Sequence, residues 1–351
     1  MIHFFPRFAD DPSDSPFAQE LRRAGVDHRL FGQALSFHYK HRLGLILLGW
    51  PRLMLFACRS AWRSLVESKP APDVVVLDSH LEVIVFGLAR LLLPRRRRPA
   101  IVLLGFIYTP RENPVLRLLR EAYFRFIFRI ADKMICHSSA EMHRYGQTFA
   151  AAKAKFRFIP YGMYVAGEES YALDNPVSGA AAEFSYLLAA GRSGRDYATL
   201  IAAVDNDRIP THVVCDRKAA LEGLAVPAHL KILSRCYGDD YLEELKNAAI
   251  VVIPLAVDNI SAGQMALIQA MAYRKPIVVT RTSTIQEYVR DGKECLLVER
   301  NDSASMANAL RRLMSDEGLA KGLADGARRA YDQRFGVRAW VNNVIAVCRS
   351  T

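Results

Sequence analysis

Two short stretches carry the residue types that hold an anion. The first, Gly191-Arg192-Ser193-Gly194-Arg195, places two guanidiniums among glycines directly after an apolar run. Guanidinium forks match phosphate oxygens. The second, Ser261-Ala262-Gly263-Gln264, is small and uncharged, and it opens a helical pattern that offers Gln269 farther along. A helix start exposes unpaired N–H groups and a partial positive charge, and with no Asp or Glu in this stretch it is left open to phosphate. Each stretch also has a plainer reading: a charged loop bridged to Asp196, and a helix capped by Ser261. No GxGxxG follows a strand, so neither is a dinucleotide fingerprint.

The elements that would position these residues alternate along the chain. Buried strands are expected at 2–6, 73–77, 101–106, 133–136 and 157–160, with helices at 17–24, 81–93, 115–131 and 139–149. After a Gly-, Pro- and Glu-containing linker at 163–179 the pattern restarts. Strands follow at 186–190, 211–215, 231–233, 250–254, 276–280 and 295–298, with helices at 197–204, 240–249 and 263–273. Strands alternating with helices argue for parallel sheets covered on both faces, here two successive doubly wound units, with ligands beyond the carboxyl ends of the strands.

A chain of 351 residues, 51% hydrophobic and 24% charged, can build two full cores. Its charge is lopsided. Residues 1–165 hold 25 Lys and Arg against 13 Asp and Glu, whereas the remainder is nearly neutral. The run at 95–98 is four consecutive arginines. Such a half is expected to meet something anionic. The segment 115–132 interleaves Arg117, Arg120, Arg125 and Arg129 with Tyr123, Phe124, Phe126 and Phe128, and 43–62 is apolar and basic at once. Both suit an anionic membrane interface better than nucleic acid, which is disfavoured as a partner. The apolar runs are too short to span a bilayer and no cleavable signal is read at the start. Six cysteines without a CxxC pair fit a reduced, cytoplasmic chain.

Four stretches, "AGRSGRDYATLIAAV", "YLEELKNAAIVVIPL", "LIQAMAYRKPIVVTRTSTIQEYVRDGKECLLV" and "FRFIPYGMY", resemble the family 4 (group 1) glycosyltransferases. The resemblance implies an α/β GT-B fold, two doubly wound Rossmann-like domains facing a central cleft. Domain 1–165 would face acceptor and membrane, and domain 166–335 would bind a nucleotide-sugar donor. A closing helix, 336–351, would pack back on the first domain. Carried over by position, Gly191, Arg192 and Arg195 would hold the diphosphate, with Arg192 and Arg195 as the catalytic pair. Ser261, Ala262, Gly263 and Gln264 would form the phosphate-facing helix start. Gln269 would bond the ribose, and Arg235 and Tyr237 would lie by the base. Ser261 and Gln269 stand where relatives carry a pair of Glu, and Glu287 matches a Glu read as structural.

On the acceptor side Arg7, His80 and Tyr108 are the candidates, with a structural role favoured for His80. Asp239-Asp240 read as a helix cap rather than a metal pair, so neither a metal nor a cofactor is expected. The expected activity is sugar transfer from a nucleoside-diphosphate sugar to a lipid-linked or glycan acceptor in cell-surface polysaccharide or glycolipid assembly. It would be retaining and metal-independent, and peripheral on the inner membrane face. The alternatives are a GT-B sugar-nucleotide epimerase and a catalytically weakened membrane- or nucleic-acid-binding protein.

Overall fold

Runs of aliphatic and β-branched residues, buried on both faces, form the inner strands of the sheets, as expected for parallel sheets covered by helices. The computed structural model describes residues 1–6, 12–32, 49–169, 171, 185–216, 220–258 and 260–351. They divide into two units, Met1–Ile159 with Trp340–Thr351, and Pro160–Ala339. Arg7, most of the linker and the first part of the 43–62 stretch lie outside the described residues.

The first unit runs β1 (Ile2–Phe4), α1 (Pro16–Arg23), β2 (His28–Leu30), α2 (Trp50–Trp62), β3 (Val74–Leu77) and α3 (His80–Leu91). It continues with β4 (Ala100–Leu103), α4 (Pro114–Ile130), β5 (Lys133–Cys136), α5 (Ser139–Thr148) and β6 (Phe156–Phe158). Its strands form one parallel sheet, ordered β2-β1-β3-β4-β5-β6. The starts of the helices explain themselves: Ser79 and Glu82 make a reciprocal capping box on α3, Asn113 caps α4 and Ser138 caps α5. Phe106, fully buried, meets Phe124, Phe128 and Tyr145 edge-on at 5.0–5.2 Å and anchors the core between sheet and helices.

His3 lies inside this core with no exposed surface. Its Nδ1 is 2.9 Å from the Ser64 hydroxyl, and its Nε2 has no partner among the described residues. Burial, with help from Arg29, lowers its pKa to about 4. Between pH 6.5 and 4 the unfolded chain takes up a proton that the folded chain refuses. Stability is therefore lost as pH falls through that window, by roughly 3 kcal/mol at its lower end. Urea melts at pH 7 and pH 4.5 should show the loss in the wild type and a smaller one in His3→Gln. Equal losses would mean that His3 is not the buried base.

The second unit runs β7 (Leu187–Ala190), α6 (Tyr197–Asp205), β8 (Thr211–Val214), β9 (Leu230–Leu233), α7 (Asp239–Asn247) and β10 (Ile250–Ile253). Then follow α8 (Gln264–Ala272), β11 (Ile277–Thr280), β12 (Leu296–Val298), α9 (Ser303–Ser315) and α10 (Glu317–Ala330). Its parallel sheet is ordered β12-β11-β10-β7-β8-β9. The last helix, α11 (Val337–Arg349), carries Trp340, whose ring packs on Phe17 at 5.3 Å. Two sheets of doubly wound α/β type are what the strand pattern implied.

Candidate functional site

In the second sheet the strand order reverses between β7 and β10: β8 and β9 extend one side, β11 and β12 the other. Loops leaving the carboxyl ends of β7 and β10 therefore diverge, and the crevice at such a switch point is where parallel sheets hold ligands. The two loops are nevertheless tied together. Asp196 N–H donates to the Pro254 carbonyl at 3.1 Å, and Ala256 N–H donates to that of Gly194 at 2.9 Å. Gly194, at φ +63°, leaves room for nothing more; a Cβ there would stand 2.9 Å from Val257 and 3.4 Å from Ala262. The structure thus brings the arginine loop and the start of α8, distant in sequence, into one place.

Arg195 is held by backbone. Its Nε donates to the Ala190 carbonyl at 2.9 Å and its Nη1 to that of Ser193 at 3.0 Å. The guanidinium folds over Gly191, at φ +125°, where any Cβ would come within 2.3 Å of Nη2. No carboxylate pairs with Arg195 among the described residues; its polar surroundings are Tyr197, Tyr241 and Cys215, and burial lowers its pKa from the ordinary arginine value. The plainer reading, a bridge to Asp196, is not what forms, because that carboxylate caps α6 through Thr199 N–H at 3.0 Å. A half-buried cation without a counter-ion is costly, and an arriving anion relieves it.

Arg192 is exposed and leans on Asp216, Nη1 to Oδ2 at 3.4 Å. The Tyr237 hydroxyl donates to the same oxygen at 2.7 Å. That bond, then Arg192, holds the Asp216 carboxyl below the usual carboxylate range. The bond to Asp216 raises the Tyr237 hydroxyl, against the pull of Arg192. Asp216 was not singled out in the sequence. Its one signal is its place directly beyond a strand, the carboxyl end of β8. Arg235, exposed and at φ +61°, acts electrostatically on Tyr237. Residues following three adjacent strands, β7, β8 and β9, therefore meet along one edge.

Helix α8 begins at Gln264, with Gly263 as its N-cap at φ +89° and no side chain capping it. The Ser261-capped alternative is not what forms. Packing favours glycine here as well, since a Cβ would meet the Ile253 side chain at 3.0 Å and press it aside. Ala262 is buried, and so is Gln264, whose Nε2 finds no partner among the described residues. An unpartnered donor beside uncapped amides calls for an acceptor. Gln269, half-buried, lies one turn beyond the exposed Met265.

The acceptor candidates are placed in the first unit. His80 is the first residue of α3, and its ring meets that of Phe124 at 5.2 Å and of Tyr123 at 6.0 Å; burial lowers its pKa. Tyr108 is buried, with its hydroxyl donating to Glu121 at 3.2 Å. Asp239 and Asp240 occupy the first turn of α7, where their charge suits the helix dipole, but the capping residue itself is Gly238. Glu287 is half-buried, and its carbonyl accepts from Arg334 at 2.9 Å. Among the described residues no three His, Cys, Asp or Glu side chains gather as a metal set.

Residues 195–316 match the family described as Glycosyl transferases group 1. Over 120 residues the chain is 34% identical to D-inositol 3-phosphate glycosyltransferase of Salinispora arenicola, covering 34% of this chain and 25% of that one. An uncharacterized glycosyltransferase of Methanocaldococcus jannaschii is 25% identical over 120 residues, 34% and 32% of the two chains. The matched part thus spans a third or less of these relatives' lengths. Two solved structures extend the likeness over the whole chain at the level of fold. Sucrose-phosphate synthase from Thermosynechococcus elongatus superposes with a TM-score of 0.67 at 15% identity, covering 100% and 98% of the chains. HepE of Anabaena, solved in complex with UDP, gives 0.60 at 15% identity, covering 99% of each. The fold is that of the GT-B glycosyltransferases, and the resemblance read in the sequence holds in the second unit, where the family match lies.

Proposed function

We propose, from the group 1 glycosyltransferase character of residues 195–316, that the protein moves a sugar from a nucleoside-diphosphate sugar to a lipid-linked or glycan acceptor. Transfer proceeds with retention, without a metal, at the inner face of a membrane, in polysaccharide or glycolipid assembly. One observation carries this reading: the loop of Arg195, a cation with no carboxylate partner among the described residues, lies against Ala262 through Gly194, next to an uncapped helix start that also holds the unpartnered Gln264 amide. Negative charge that grows on a departing diphosphate is stabilised by such preorganised donors. The HepE complexes with UDP and UDP-glucose support a nucleotide donor on the same fold. Arg192, Asp216 and Tyr237 then line the nucleoside end, and Gln269 meets the ribose.

Titrating the protein with UDP, GDP, ADP and TDP tests this. One nucleoside diphosphate should bind and raise the melting temperature, and the sugar nucleotide it names should be consumed when acceptor is present. Failure of all four to bind overturns the reading. Gln269→Glu gives a sharper outcome. A Gln amide accepts one ribose hydroxyl and donates to the other, while a carboxylate accepts from both. Neutral bonds contribute about 0.5–1.5 kcal/mol and charged ones about 1.5–3, so affinity should rise by about 1 kcal/mol, tenfold at most. Calorimetry showing equal affinity for both proteins would remove Gln269 from the ribose.

A further inference from the structure

Fifteen of the twenty exposed large apolar side chains among the described residues fall between residues 50 and 126. The topology explains where they gather. Crossovers from β2 to β3, β4 and β5 all advance in one direction along the sheet, so right-handed connections lay α2, α3 and α4 side by side on one face. The inner sides of these helices fill the core. Their outer sides are not polar. On α2 the outward stripe is Trp50, Met54, Leu55 and Trp62, continued by Val66, with Arg52, Arg59 and Arg63 interleaved and also exposed. On α3 it ends in Leu88, Leu91 and Leu92, the last 88% exposed.

The first turns of α4 are more telling. Val115, Leu116, Leu118 and Leu119 are each more than half exposed, and at 3.6 residues per turn they spread over about 160° of the helix. An exposed apolar stripe this wide, continued on the outer sides of α2 and α3, is satisfied by contact with an apolar medium. Charge chooses among such media. Glu67 is the one acid on the outward side of the segment from Trp50 to Glu67, and Trp62 Nε1 already bonds it at 2.8 Å. Arg117 lies exposed between the α4 leucines, and Arg95, Arg96 and Arg97 follow Leu92. Arginines snorkel upward from an apolar layer toward lipid phosphates, and tryptophans settle at the boundary.

Resting on the membrane part of the reading above, we infer that the outer face of α2, α3 and the first turns of α4 is a monotopic docking surface for an anionic bilayer. Trp50, Met54, Leu55, Trp62 and residues 115–119 enter the boundary between headgroups and acyl chains, and the arginines sit at the phosphate level. The same face that receives the lipid is part of the unit assigned to the acceptor, so a lipid-linked acceptor needs no extraction into water.

The chain supplies its own reporter. Of its three tryptophans, Trp50 and Trp62 lie on this face, while Trp340 packs on Phe17. Purified full-length protein is floated with phosphatidylcholine vesicles containing or lacking about a third phosphatidylglycerol, and its fluorescence is followed with brominated acyl chains. Anionic vesicles should float it and quench it; neutral vesicles should do so at least roughly tenfold less. The double variants Leu55→Ser/Trp62→Ser and Leu118→Ser/Leu119→Ser change exposed residues only, and each should lose roughly tenfold in partitioning. Nucleoside-diphosphate affinity should stay as it is in both. Flotation of both variants at the wild-type level, or flotation without quenching, overturns this surface and leaves the donor reading standing. A wild type that ignores every vesicle overturns the membrane reading as well, whatever nucleotides bind. So does a wild-type dimer that the variants break without any vesicle binding, which would assign the face to a second copy of the chain.

Discussion

Arg195→Ala is expected to weaken nucleoside-diphosphate binding by about 1.5–3 kcal/mol, roughly 10- to 150-fold, because a charge-assisted bond is lost and nothing nearby replaces it. Arg195→Lys should recover part of this, since a point charge returns without the fork. Arg192→Ala should cost less and depend more on salt: its guanidinium is largely exposed and already shares Asp216. The decisive companion is Gly191→Ala. It removes no polar atom, yet its Cβ would come within 2.3 Å of the Arg195 guanidinium, in a backbone conformation at φ +125° that alanine disfavours. It should therefore reproduce the affinity loss of Arg195→Ala, and the double variant should bind no worse than either single one. Titration calorimetry of the four proteins checks it. Additive losses would show that Gly191 and Arg195 act separately, and unchanged affinity in Arg195→Ala would remove the arginine from the donor site.

The second large effect concerns stability. Helix α10 holds Gly318, Gly322 and Gly326 at four-residue intervals. In a helix interior Gly→Ala gains about 0.5–1 kcal/mol. At Gly322 a Cβ meets nothing within 4 Å, so Gly322→Ala should stabilise by about that amount. At Gly326 the same atom would stand 2.0 Å from the Lys293 carbonyl oxygen. Backbone cannot rotate away as a side chain can, and overpacking costs about 1–3 kcal/mol or more, which exceeds the helical gain. Gly326→Ala should thus destabilise by roughly 2 kcal/mol. Denaturant midpoints that shift in opposite directions confirm the contact. A stabilised Gly326→Ala would mean that α10 does not lie against the turn at Lys293.

These glycines also show where the sequence was opaque. No helix was expected over 317–330: three glycines in fourteen residues lower the helical signal, because propensity counts their cost and not the close approach that Gly326 permits. The strand β2 was missed for another reason. It is an edge strand of three residues, His28-Arg29-Leu30, and its charged, half-exposed pattern carries no apolar run. By contrast the fully buried strands β3, β7, β10 and β11 were legible, since three or four consecutive aliphatic residues bounded by turns have few other uses. The site divides in the same way. Arg195 and the bare start of α8 could be found because their residue types are odd for their positions. Asp216 could not, because an aspartate after a strand acquires meaning only when β7, β8 and β9 lie side by side and bring it between Arg192 and Tyr237.

The backbone ties between residues 194–196 and 254–256 bear on the thermodynamics of recognition. Loops pinned to each other before the ligand arrives have little conformational freedom left to surrender. Nucleotide binding should consequently show a small unfavourable ordering entropy, and its heat-capacity change should be accounted for by the buried apolar area of the base and of Tyr237 alone. The amides of Asp196 and Ala256 should already resist deuterium exchange in the unliganded protein.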